Sequence, residues 1–282
     1  MTRIIPFDAI VSAVAELCGQ AAIELPADVE AALEDRARRE TSPTAREFFR
    51  QYLENARIAR REQLPLCQDT GFAVFFVEMG DEVKLDHGLI YEAINAGVRQ
   101  GYKQYYLRKS IDAEPIFHRV NTTDNTPAII NLEIVPGDRL HITLAPKGGG
   151  SENMSALKML RPADGRNGVV EFVVDAVTRA GGNPCPPTVV GVGVGGTIEK
   201  TTLLAKKALL RQVGQPHADP DYAALEQEIL ERINASGVGA QGLGGSITAL
   251  AVHIEFVPCH LASLPVAVAL NCHAARHAEV VL

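Results

Sequence analysis

Apolar residues recur at helical spacing through the first sixty positions. Ile10, Val11, Val14, Leu17 and Cys18 share one face of a helix beginning near residue 6. A second helix is expected from Pro26 to about Arg39 and a third from Ser42 to about Arg60. Ser42 serves the third as N-cap, with Pro43 at the first helical position. After Cys67 the pattern changes. FAVFFVEM (72–79) is the nearly unbroken apolar run of a buried strand, and a helix follows from about Leu89 to Leu107. A polar connector containing Asn121-Thr-Thr-Asp-Asn125 leads to PAIINLEIVPGDRLHITLAP, which predicts two strands joined as a hairpin at Pro136-Gly137-Asp138. Lys147-Gly-Gly-Gly-Ser-Glu-Asn153 opens helical segments, the stronger over 168–180. TVVGVGVGG (188–196) is a strand running into glycines, with a helix from Ile198 to about Gln212. A charged helix over about 219–235, a glycine-rich loop (GVGAQGLGG), the strand SITALAVHIEFV and an apolar run over 264–271 complete the pattern.

Helices first, then strands and helices without strict alternation, predict an α/β (mixed α+β) fold. The expected organisation is one domain over 1–282, with a helical segment at 1–60 ahead of a core at 61–282. No internal repeat or low-complexity linker interrupts it.

Composition narrows the function. With 282 residues, 46% of them hydrophobic and 22% charged, the chain can bury a sizeable core. Its net charge of −7 and the absence of a basic block argue against nucleic acid, so an anionic substrate needs locally placed cations. No apolar run reaches the roughly 18–20 residues of a membrane span. The first twenty residues carry Asp8 and Glu16 within their apolar stretch, so a helix is expected there rather than a signal peptide. Five cysteines, an odd number, argue for thiols in a reducing compartment, the cytoplasm by default.

Three of those cysteines lie in stretches that core packing does not call for. Cys67 sits in LPLCQDTGF, Cys185 in GGNPCPPTVVGVGVGG and Cys272 in LPVAVALNCHAARH. Their wide separation matches no zinc ribbon, dithiol redox pair or ferredoxin set. Three thiolates on an iron–sulfur cluster would leave one iron without a protein ligand, open as a Lewis acid. Cys259 competes with Cys272 as the third ligand, whereas Cys18 falls on an apolar helix face as a core residue.

Gln68 and Asp69 place an amide and a carboxylate beside the first thiol, although Asp69-Thr-Gly is also good turn chemistry. Gly148-Gly149-Gly150 can expose backbone amides to an anion or simply form a turn, and no Gly-Lys-Ser/Thr makes it a P-loop. Gly191-Val-Gly193-Val-Gly-Gly196 matches a dinucleotide fingerprint. The residues that follow, however, lead into Gln-Pro-His-Ala-Asp-Pro rather than a strand ending in an acid. Close packing against a cluster or substrate explains these glycines better. On their residues alone His253 and His260 suit a structural role, and Arg108 is open between a surface cation and a functional one.

At these motifs the chain resembles the alpha subunit, or N-terminal half, of iron–sulfur class I fumarate hydratases and the related L-tartrate dehydratases. LPLCQDTGF, YYLRKS, APKGGGSENMS, CPPTVVGVGVGGT, GVGAQGLGG and CHLASLPVAVALNCHA carry the resemblance, in family order, from about residue 64 onward. It implies a 4Fe–4S cluster on Cys67, Cys185 and Cys272, with Cys259 outside the ligand set. It also implies substrate contacts at Gln68, Asp69, Arg108, Gly150 and the following Ser-Glu-Asn153, and an active-site role for His260.

The implied reaction is reversible hydration of fumarate to (S)-malate, in the tricarboxylic acid cycle. The open iron would stabilise the departing hydroxide, and Asp69 and His260 would deliver or orient the proton. L-tartrate dehydration is the alternative. A non-catalytic cluster-binding protein would keep the cysteines but need not keep Gln68, Asp69, Arg108 and His260. In fused relatives a second domain supplies a threonine base and further Arg and Lys clamps. Ten residues follow Cys272 here, so the expectation is a separate beta subunit, a hetero-oligomer with alpha dimerisation, and poor turnover by this chain alone.

Overall fold

The computed structural model describes residues 2–282. Its elements run β1 (Arg3–Ile5), α1 (Phe7–Ile23), α2 (Ala27–Arg39), α3 (Pro43–Glu62), β2 (Phe72–Gly80), β3 (Val83–Leu85) and α4 (Ile90–Gln104). They continue with β4 (Ile129–Val135), β5 (Leu140–Lys147), the short α5 (Gly149–Glu152), β6 (Ala156–Leu160), α6 (Gly165–Ala180) and β7 (Thr188–Val194). Last come α7 (Ile198–Ala208), α8 (Pro220–Ala235), β8 (Ala249–Phe256), β9 (Leu264–Asn271) and β10 (Ala278–Val281). The fold is mixed α/β, with the three N-terminal helices where their apolar spacing puts them.

The residues group into two compact units. The first comprises 2–25, 56–149 and 276–282, the second 26–55 and 150–275. Each is assembled from separate stretches of chain, so no linker in the sequence marks a boundary.

In the first unit a four-stranded sheet has the order β10-β5-β2-β4. Strand β2 is central because Ala73, Val74, Phe75 and Val77 are all buried, which leaves it no solvent face to spare. It pairs in parallel with β4 and antiparallel with β5. The expected β4–β5 hairpin is therefore absent: β2 lies between the two strands. The Pro136-Gly137-Asp138 turn instead straddles the end of β2, where the Glu82 amide donates to the Gly137 carbonyl at 3.0 Å. A Cβ on Gly80 would stand 2.2 Å from that carbonyl oxygen, so the crossing needs a glycine.

Helices α1 and α4 share the core with this sheet. They approach closely because Gly97 and Gly101 of α4 face Val14 and Cys18 of α1. A Cβ on Gly101 would lie 2.7 Å from that of Cys18. Cys18 is a packed core residue, and burial pushes its thiol up to about 12. The stretch Phe7–Arg39 is apolar and long enough by composition to cross a membrane, but it is two helices broken at Glu24 and Pro26. The apolar face of α1 is spent in this core.

In the second unit the sheet order is β6-β9-β7-β8, with β7 parallel to β8 and antiparallel to β9. Helices α6 and α8 cover one face through Val173, Val177, Ile229 and Ile233, packed on Val190, Val252, Val268 and their neighbours. Against β7 lies α7. A Cβ on Gly191 would fall 2.1 Å from the Ala205 carbonyl oxygen, and one on Gly193 would fall 2.0 Å from that of Thr201. The GVGVGG run is thus a helix-on-strand packing site, which corrects the expected packing against a cluster or substrate.

Candidate active site

Two groups of predicted site residues emerge, one in each unit. In the first, the Cys67–Gly71 loop enters β2 with Cys67 half-buried and Gln68 exposed. The Asp69 carboxylate is engaged on both oxygens. It accepts the Gly71 amide at 3.0 Å and the Gly149 amide at 2.8 Å, while the Asp69 carbonyl accepts from Arg276 at 2.8 Å. The turn chemistry of Asp-Thr-Gly and the proposed functional position are therefore one arrangement: Asp69 brackets the glycine loop.

Arg108 is placed by its backbone, whose carbonyl accepts the Thr70 hydroxyl at 3.0 Å. Its guanidinium is exposed and, among the described residues, takes part in no ion pair. Asn125, fully buried, locks this region from two sides. It accepts the Ser110 amide at 2.7 Å and donates to the Gly71 carbonyl at 3.2 Å. The Tyr102 hydroxyl donates toward the carbonyls of Thr70 and Gly71, at 3.1 and 3.2 Å.

Sequence reasoning missed Arg276 and Asn125. Arg276 is 5% exposed, its Nε lacks a hydrogen-bond partner, and no carboxylate among the described residues lies within 4.0 Å of it. Nothing in the AARH tail signals a buried cation, whereas the Asn121–Asn125 connector was visibly polar.

In the second unit, strand register does the assembling. Val189 of β7 pairs with Asn271 of β9, so Cys185, just before β7, and Cys272, just after β9, emerge at the same end of the sheet. His273 fastens them: its amide donates to the Cys185 carbonyl at 3.2 Å, and its Nδ1 lies 3.0 Å from the same oxygen. Cys185 has φ +53, a left-handed conformation that costs a non-glycine residue about 1–3 kcal/mol.

The GVGAQGLGG loop packs behind the Cys185 loop. A Cβ on Gly242 would meet Gly182 at 2.5 Å, and the Gln241 amide donates to the Pro186 carbonyl at 2.9 Å. Glu40, fully buried, anchors that loop by accepting the amides of Ser246 and Ile247, at 3.0 and 3.1 Å, as well as those of Thr41 and Ser42. Gly150 lies near the same region, since a Cβ there would stand 3.4 Å from the Asn183 carbonyl oxygen. Asn153 is exposed, and neighbouring Glu152 pairs with Lys206 at 2.5 Å.

His260 and Cys259 lie elsewhere. They occupy the β8–β9 turn, at the opposite end of β9 from Cys272, beside a groove of about 770 Å³ that Arg166, Tyr222 and Leu261 also line. Eight residues of β9, at about 3.3 Å each, put about 25 Å between His260 and Cys272 of the same chain. The same distance keeps Cys259 from sharing an ion or cluster with Cys185. The His260 Nδ1 accepts the Ala262 amide at 3.1 Å, which leaves its proton on Nε2. His253 is a buried residue of β8 in the same unit; loss of solvation and the nearby Arg211 guanidinium push its imidazole down to about 4.

Within the second unit, Cys185 and Cys272 form a thiol pair whose chemistry suits a thiolate-ligated cluster. All five cysteines are thiols. Cys67 and Cys272 are half-buried and Cys185 is exposed, in contrast to sealed Cys18. Among the described residues no three His, Cys, Asp or Glu side chains converge on one ion. A cluster makes no such demand, because each cysteine binds a different iron.

A family model described as fumarate hydratase (Fumerase) matches residues 11–281. A protein of Methanocaldococcus jannaschii, provisionally named L(+)-tartrate dehydratase subunit alpha, is 46% identical over 271 residues, covering 94% of each chain. The L(+)-tartrate dehydratase subunit alpha of Escherichia coli strain K12 is 33% identical over 273 residues, covering 95% of this chain and 89% of that one.

Proposed function

The chain belongs to the fumarate hydratase (Fumerase) family, and from that membership we propose that it is the alpha subunit of an iron–sulfur-dependent hydro-lyase acting on a C4 dicarboxylate. The reaction we assign is reversible hydration of fumarate to (S)-malate. L-tartrate dehydration is the second reading, favoured by the names of the relatives above. The observation that carries the proposal is the shared sheet end of Cys185 and Cys272, closed by His273 on the Cys185 carbonyl.

Cys67, Cys185 and Cys272 would hold a 4Fe–4S cluster. When bound, the cluster supplies a Lewis-acidic iron for the hydroxyl that leaves or adds. Arg108, exposed and in no ion pair among the described residues, offers its guanidinium fork to a substrate carboxylate. Gln68 presents an exposed amide next to Cys67, and Gly150 and Asn153 complete the proposed substrate contacts. Asp69 holds the glycine loop through both oxygens, and its remaining lone pairs can still take part in proton transfer.

His260, with its proton on Nε2, is suited to donate to the departing hydroxyl. Because β9 holds it about 25 Å from its own Cys272, we assign it to the site of a second copy of the chain. A separate beta subunit would supply the remaining carboxylate clamps and the carbon acid's base. We place the assembly in the cytoplasm, where thiolates stay reduced.

The test is co-expression with a candidate beta subunit, followed by anaerobic assays with fumarate, malate and L-tartrate. Cys67→Ser, Cys185→Ser and Cys272→Ser should each lose the cluster, while Cys259→Ser keeps it. Cluster loss in Cys259→Ser, or full activity of the reconstituted chain without a partner, would refute the corresponding assignment.

A further inference from the structure

Tyr52, on α3, carries no motif and lies outside the six motif segments that carry the resemblance, yet it meets the two cysteine loops of the second unit. Its ring stacks on His273 with centroids 3.9 Å apart and planes 15° from parallel. Its hydroxyl is committed on both sides: it accepts from Gln241 Nε2 at 2.8 Å and donates to the Pro186 carbonyl at 3.3 Å. The residue is 9% exposed. Burial, and to a lesser extent the Cys185 and Cys272 thiols, push its phenol well above the ordinary tyrosine value.

These contacts form a chain of support. Cys185 is held in a left-handed conformation, which persists only where the surroundings enforce it. Enforcement comes from the Cys185 amide donating to the Gly182 carbonyl at 3.0 Å, and from His273 closing on the Cys185 carbonyl with both its amide and its ring. His273 is only half-buried, and a half-exposed imidazole keeps one rotamer when something clamps its face. Tyr52 is that clamp.

We propose that Tyr52 is a positioning residue for the cluster: by stacking on His273 and bracing Pro186 and Gln241, it holds Cys185 and Cys272 at one spacing. This rests on the assignment of those two thiols as cluster ligands. Partners behind metal ligands fix ligand orientation, and their removal typically costs about 10–100-fold in metal affinity. Tyr52→Phe keeps the stack and gives up the hydroxyl bonds, whereas Tyr52→Leu gives up both.

The experiment is anaerobic reconstitution with ferrous iron and sulfide. Iron and sulfide per chain are then counted, and cluster loss to a ferrous chelator is followed by visible absorption. The cluster-free melting temperature is recorded for each variant, with Val252→Ala as a core-destabilised control. Tyr52→Leu should lose its cluster about 10–100-fold faster than wild type, Tyr52→Phe at a rate between the two, and Val252→Ala at close to the wild-type rate despite its lower melting temperature. Cluster loss from Tyr52→Leu no faster than from the control would overturn the role of Tyr52 and leave the enzyme assignment standing. A wild-type chain that takes up no iron and sulfide would instead overturn the ligand assignment itself. Should Tyr52→Leu not fold, His273→Ala, at a half-buried position, gives the same readout.

Discussion

Asp69 separates a bracket from a simple catalytic group. Both of its carboxylate oxygens accept backbone amides, from Gly71 at 3.0 Å and Gly149 at 2.8 Å. Hydrogen bonds to a charged group contribute about 1.5–3 kcal/mol each, and the half-buried position argues for the lower end. Asp69→Ala forfeits both and is expected to lower the stability of the cluster-free chain by about 3 kcal/mol. Asp69→Asn keeps one acceptor oxygen but turns an NH₂ toward the other amide, so about half that loss or somewhat more is expected. Urea unfolding of the cluster-free chain, followed by circular dichroism, measures both in the absence of any chemistry. A residue kept only for catalysis would leave stability untouched. A change below about 0.5 kcal/mol in Asp69→Ala, within the range of ordinary surface substitutions, would refute the bracket.

Other consequences follow from the same contacts. Glu40→Ala strips four backbone amides of their acceptor in a fully buried site, two of them in the Ser246–Ile247 segment. It should cost at least about 4 kcal/mol in urea unfolding. Gly191→Ala or Gly193→Ala drives a methyl into an α7 carbonyl and should cost about 3 kcal/mol, with no dinucleotide binding to lose by calorimetry. The His253 imidazole titrates near 4 in the fold against about 6.5 unfolded. Below pH 6.5 the unfolded chain therefore takes the proton first. Stability should fall by about 2–3 kcal/mol as pH drops from 6.5 to 4, and His253→Gln should flatten that slope. Finally, with the partner subunit present, His260→Ala and Cys272→Ser chains are each expected to be inactive alone. Mixed in one assembly they should regain activity in anaerobic assays; no recovery would return His260 to a local role.

The helices were legible because each announces itself locally. The Ser42-Pro43 start, the apolar stripe of α1 and the charged run of α8 are satisfied within one element. Strands gave up less, because their partners decide them. FAVFFVEM reads as buried, but nothing in the run says that it will insert between β4 and β5. The turn residues at Pro136–Asp138 suit a hairpin and a crossover equally. Strand β6 (ALKML) passed unseen because five residues with no clean alternation become a strand only against β9.

For the site, chemistry was legible and placement was not. The neighbours of Cys67, Cys185 and Cys272 mark them as something other than packed thiols, while Cys18 declares its role through its helical face. The twelve positions from His260 to Cys272 look close in sequence, and a helix over that stretch would put the two about 18 Å apart. As strand β9 the same stretch becomes a rod that carries them to opposite ends of a sheet. Register then does the reverse for Cys185, bringing it from the other side of β7 to the same end as Cys272. Tyr52, Asn125, Glu40 and Arg276 stayed hidden for a related reason. Each acts on the backbone of a distant loop, and a hydrogen bond to a backbone carbonyl or amide leaves no mark on the sequence of the loop that receives it.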